Sequence, residues 1–181
     1  MTPITRRNFL VSCAKTTAAL SVLGPATALA TVTGRERTLG FYNLHTGEHL
    51  DTAYNRGNHY LGHALSRINR ILRDHRTGDV HPIDTELLDL LYRLAREVGT
   101  KSPFHVISGY RSPRTNAMLN KSSSGVAQKS LHVQGKAIDI RLPDVPLETL
   151  CQAAVDLERG GVGAYPESDF IHVDVGRVRY W

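Results

Sequence analysis

The chain has 181 residues, 22 of them Lys or Arg and 17 Asp or Glu, for a formal charge of +5. Three of the cations, Arg6, Arg7 and Lys15, fall in the first thirty residues, leaving 19 against 17 and a charge of +2 for the rest. So mild an excess gives no argument for nucleic acid as a partner, though it suits an anionic polymer. Of the two cysteines, Cys13 and Cys151, only Cys151 lies beyond that leader, which excludes an internal disulfide there.

Taken in chain order, Thr5-Arg6-Arg7-Asn8-Phe9-Leu10 is a twin-arginine signature. An apolar stretch from Ala18 to Leu29 follows, and Ala28-Leu29-Ala30 is a small-x-small cleavage site. Residues 1–30 therefore read as an export signal and 31–181 as a single domain. The apolar stretch is short and broken by Gly24-Pro25, so no membrane anchor is expected after cleavage. The expected destination is the periplasm.

Thr38 to Asn43 and Glu48 to Tyr54 read as two strands around a His45-Thr46-Gly47 turn. Leu61, Ala64, Leu65, Ile68, Ile71 and Leu72 recur at helical spacing, which predicts an amphipathic helix over roughly 60–74. Asp84 caps a second helix carrying Leu87, Leu88, Leu91 and Leu94, and Gly99 ends it. Phe104 to Ser108 reads as a strand, Pro113 to Leu119 as a short helix, and 121–130 as an exposed loop. Lys136 to Leu142 reads as a strand, Pro146 opens a helix that buries Cys151, and Gly160 to Gly163 turn the chain into a last pair of strands. Helices first and strands mixed later suggest an α+β domain with a small antiparallel sheet flanked by helices.

The chemistry concentrates in Ser130 to Asp139, which reads S-x-H-x-x-G-x-A-x-D, and in Asp169 to His172, which reads D-x-x-H. Two imidazoles and a carboxylate, His132, His172 and Asp139, make a three-ligand set for zinc with a fourth position for water. The same set also suits iron or manganese. Asp139 sits between Ile138 and Ile140, so if it points inward it needs a partner, either a cation on a metal site or an arginine. His172 and Asp174 alternate onto one strand face. His59 and His63 lie four apart but lack the Glu of an H-E-x-x-H peptidase, and read as surface residues. No G-x-S-x-G elbow occurs, which disfavours a serine hydrolase.

These motifs resemble those of the zinc peptidases of the D-alanyl-D-alanine carboxypeptidase and endolysin group, with its hedgehog-like fold. More narrowly, Ser108-Gly109-Tyr110-Arg111-Ser112, the Ser130 to Asp139 block, Gly160 to Gly163 and Asp169 to Trp181 resemble the exported murein endopeptidases of the MepK type. The resemblance implies one zinc held by His132, Asp139 and His172. It implies Asp169 as the general base, with Asp174 as competitor or as the carboxylate that holds an imidazole. Arg111 corresponds to an arginine that steadies the substrate or the developing oxyanion. The implied substrate is the peptide cross-link of peptidoglycan, cut during growth or remodelling of the wall. A carboxypeptidase removing a terminal D-alanine, and a non-catalytic murein-binding domain, are the alternatives.

Overall fold

The computed structural model describes residues 36–122 and 129–181. The expected export signal lies outside the described residues, as does most of the loop expected at 121–130. Among the described residues, no helix is long and apolar enough to cross a membrane.

The chain opens with β1 (Glu36–Asn43) and β2 (His49–Arg56), paired antiparallel, and a two-residue β3 (His59–Tyr60) extends the edge. Helix α1 (Gly62–Ile71) buries Ala64, Ile68 and Ile71. Helix α2 (Thr85–Glu97) starts where the sequence predicts, because the Asp84 carboxylate accepts the Glu86 N–H at 2.9 Å. Its Leu87, Leu88, Leu91 and Leu94 are fully buried. Strand β4 (Phe104–Ser108) and helix α3 (Pro113–Ser122) follow, so Lys121 and Ser122 belong to a helix rather than to the expected loop. A short 3-10 turn (Leu131–Gln134) leads into β5 (Ala137–Arg141), then α4 (Leu147–Asp156), β6 (Gly161–Tyr165), β7 (Phe170–Asp174) and β8 (Arg179–Tyr180).

The strands form one sheet in the order β3-β2-β1-β4-β5-β7-β6-β8. The mixed composition of helices and sheet agrees with the α+β expectation, but the sheet is neither small nor purely antiparallel. β1 pairs parallel with β4, and β6 with β8. The first of these pairings needs a crossover, which α1 and α2 supply. His59 lies in β3 and His63 in α1, so the two never share a helix face. Cys151 is half-buried against the core, as a small apolar residue would be.

Helix α1 packs on β2, α2 on β1, and α4 on β6 and β7. Ile138, Ile140, Ile171 and Val173 point into this helical layer and are wholly buried in the core. By alternation, Asp139 and His172 project from the opposite face of the same strands. That face carries the candidate site.

Candidate metal centre

Three elements bring the site together. Asp139 is on β5 and His172 is its direct cross-strand partner on β7. His132 comes from the 3-10 turn, which Ser130 caps by accepting the His132 N–H at 3.4 Å. Gly135 ends that turn at φ +67°, a conformation that suits glycine, and so turns the chain into β5.

Asp139 Oδ1 lies 3.2 Å from His132 Nε2 and 2.9 Å from His172 Nδ1, and the two nitrogens are 3.2 Å apart. Each ring's other nitrogen is committed. His132 Nδ1 faces the Gly109 carbonyl at 2.7 Å, and a carbonyl only accepts, so Nδ1 carries the proton. By the same reasoning His172 Nε2 donates to Asp174 Oδ2 at 2.9 Å. In neutral rings both remaining nitrogens therefore turn lone pairs toward the Asp139 carboxylate. Burial opposes charge on Asp139; were the rings protonated instead, their charge and hydrogen bonds would outweigh it and hold the carboxyl below the usual carboxylate range. Three acceptors converging on one point call for a cation. A tetrahedral ion with bonds of ~2.0–2.1 Å spaces its ligand atoms about 3.3 Å apart, close to these separations. His132, Asp139 and His172 can thus hold a metal ion.

Around the three, Arg111 is part-buried, with Nη2 3.5 Å from Asp139 Oδ2 and 3.3 Å from Ser108 Oγ. Its Nε has no hydrogen-bond partner among the described residues. Burial lowers the Arg111 pKa, with Asp139 acting against it. Asp139 thus has the two histidines on one oxygen and an arginine near the other.

The two carboxylates expected to compete for a catalytic role lie in different surroundings. Asp174 is fully buried and saturated. Its oxygens accept Gly161 N at 3.0 Å, Gly176 N at 2.8 Å, Arg179 Nη1 at 3.1 Å and Nη2 at 2.7 Å, besides His172. Asp169 is 63% exposed and pairs with Arg141 Nη1 at 2.9 Å. It stands at φ +52° at the end of a 3-10 turn, just before β7.

Ligand types and spacing leave four features of the site unassigned, although all four lie within the blocks that carry the resemblance. They are the Gly109 carbonyl that fixes His132, the Ser108 hydroxyl beside Arg111, Arg179 beneath Asp174, and Trp181, whose indole lies 5.3 Å from the His172 ring. Composition alone could have marked the last, as the chain's one tryptophan.

Two imidazoles and a carboxylate gathered over a sheet face, with a part-buried arginine alongside, are the equipment of a metal-dependent peptidase. Comparison with known proteins specifies the kind. The family model described as "Peptidoglycan L,D-endopeptidase MepK" matches residues 31–181, and the chain belongs to that family. The Escherichia coli protein of that name is 42% identical over 158 residues, covering 87% of each chain, and so is that of Shigella flexneri. The Haemophilus influenzae "Probable peptidoglycan L,D-endopeptidase MepK" is 42% identical over 164 residues, 90% of this chain and 88% of its own.

Proposed function

We propose that the protein is an exported zinc endopeptidase that hydrolyses peptide cross-links of peptidoglycan in the periplasm. The observation that carries this reading is the convergence of His132 Nε2, Asp139 Oδ1 and His172 Nδ1, with the outer ring nitrogens already committed. The L,D specificity in the relatives' names favours an amide joining an L- to a D-centre. Of the cross-links at issue, that is the one between two diaminopimelate residues. The twin-arginine leader and the hedgehog-like fold of the wider group belong to the same proposal.

In this reading His132, Asp139 and His172 are the metal ligands. Zinc held there supplies a Lewis acid for the scissile carbonyl and lowers the pKa of water toward neutrality. Arg111 supplies a guanidinium beside Asp139, part-buried and cationic, to steady a substrate carboxylate or the developing oxyanion. Asp169 takes the proton from water and returns it to the leaving amine. Its support is accessibility, since its carboxylate is exposed and has a single ion pair, whereas every lone pair of consequence on Asp174 is taken. Asp169 also holds a positive φ, a backbone cost that a functional residue can justify. Asp174 fixes the tautomer and orientation of His172.

The test is digestion of purified sacculi by the protein and by His132→Ala, with products resolved by chromatography and mass. Cross-linked dimers should fall and monomers rise with the native protein only. Release of terminal D-alanine with dimers intact would make the protein a carboxypeptidase. Unchanged sacculi with zinc demonstrably bound would leave a murein-binding domain.

A further inference from the structure

Trp181 is held in place on three sides. Its backbone is paired at the sheet edge, where its N–H donates to Val162 O at 3.2 Å and its carbonyl accepts from Ala164 N at 3.0 Å. The indole Nε1 donates to Tyr165 Oη at 2.9 Å, and the Arg179 guanidinium lies 4.9 Å from the ring centroid. The ring covers Gly163, where an added Cβ would come within 2.5 Å of indole Cε2. Gly163 is the cross-strand partner of His172, so the indole stands beside a candidate metal ligand.

Despite these restraints, Trp181 is 51% exposed. A large aromatic that is immobilised yet half in water has already lost its rotamer freedom, so a ligand stacking on it meets little further ordering cost. Its position also has a direction. Arg111 follows β4, the ligands sit on and before β5 and on β7, and Trp181 lies beyond β6. Across the sheet the order is cation, metal centre, indole.

We propose that Trp181 is a substrate-binding wall that takes the aliphatic side chain of a stem residue on one side of the scissile amide. Arg111 takes a carboxylate on the other side, so the peptide crosses the centre in one orientation. The inference rests on the catalytic reading of the centre given above. An aliphatic chain over an indole face suits the ring's large apolar area, and the fixed Nε1 bond to Tyr165 keeps the polar edge occupied.

Because Trp181 is the chain's one tryptophan, its emission reports on this wall alone. The full chain, stripped of metal by chelator so that nothing is cut, is titrated with a purified cross-linked muropeptide dimer, in parallel with calorimetry. A saturable change in emission with the calorimetric midpoint supports the wall. Calorimetric binding with unchanged emission overturns it. In the metal-loaded protein, Trp181→Ala should raise KM about tenfold with kcat and metal content retained, and Trp181→Phe should recover most of the loss. An unchanged KM, or loss of metal in Trp181→Ala, overturns the proposal. A dimer that binds and moves the emission but is never cleaved by the loaded protein sinks the catalytic reading instead.

Discussion

Strands β5 and β7 each present two faces, one sealed and one partly open. On one, Ile138, Ile140, Ile171 and Val173 are sealed beneath the helices. On the other, Asp139 and Asp174 are 7% and 0% exposed while Phe170 and His172 are only part-buried, so the faces differ in pairing as well as in access to water. The apolar face gains by leaving water and needs no particular partner. The polar face survives burial because each group meets a donor or an opposite charge. Where His132, Asp139 and His172 meet, acceptors face one another, and that is where a metal ion could be held. Two strands of five residues thus serve both the core and the site through a period of two.

Neighbouring substitutions on the two faces give the largest contrast. Asp139→Ala should lose bound metal and reduce hydrolysis by roughly a thousandfold or more, the equivalent of several kcal/mol of Lewis-acid stabilisation. Ile140→Ala should cost about 2–5 kcal/mol of stability by opening a cavity under the helices. At temperatures where it stays folded, it should bind metal with native stoichiometry and turn over at a near-native rate. Elemental analysis and denaturant melts on the pair measure both halves. A folded Ile140→Ala protein without metal would show that the faces are not separable.

Much of this division is legible in the sequence, because alternation needs only a few residues to show. Ile138-Asp139-Ile140 states a buried acid between two apolar neighbours, and the leucines and the Asp84 cap state α2. Strands β3 and β8 escape notice because two residues have no period. The parallel pairing of β1 with β4 escapes as well, since nothing local to β1 names a partner some sixty residues on. Gly161 to Gly163 read as a turn because glycine marks turns, yet they lie in β6, where Arg179 and Trp181 occupy the space of side chains. At the site, ligand types and spacing reveal the three converging residues. The group that fixes His132 stays hidden because it is a backbone carbonyl.

Asp174→Asn tests whether the polar face depends on its own internal pairing. The substitution keeps the shape but gives the side chain a donor where Gly161 N, Gly176 N, Arg179 and His172 already donate. A loosened His172 should weaken metal affinity by about 10–100-fold, as read by competition with a chelating dye. Native affinity would mean that the carboxylate does not orient the imidazole.

The smallest effect concerns a histidine outside both faces. The His75 ring stacks on His45, with centroids 3.8 Å apart and planes 13° from parallel. Burial first, then the charge of His45, pushes its pKa from 6.5 down to about 4. The folded protein therefore keeps His75 neutral through a range in which the unfolded chain takes up a proton. Stability from this group is intact above pH 6.5, declines as the pH falls from there, and stops declining below about 4. Asp74 works in the adjoining, more acid range. Burial opposes its charge, but bonds from Thr115, Ser112 and Arg76 lower its pKa from 3.8, so its contribution is present above that value and lost in stronger acid. In His75→Gln the decline in melting temperature between pH 6.5 and 4.5 should shrink, while the steeper loss at lower pH persists. Parallel melts across that range decide it: equal slopes in the two proteins would show that His75 ionises alike folded and unfolded, and that the stacked pair carries no proton-linked cost.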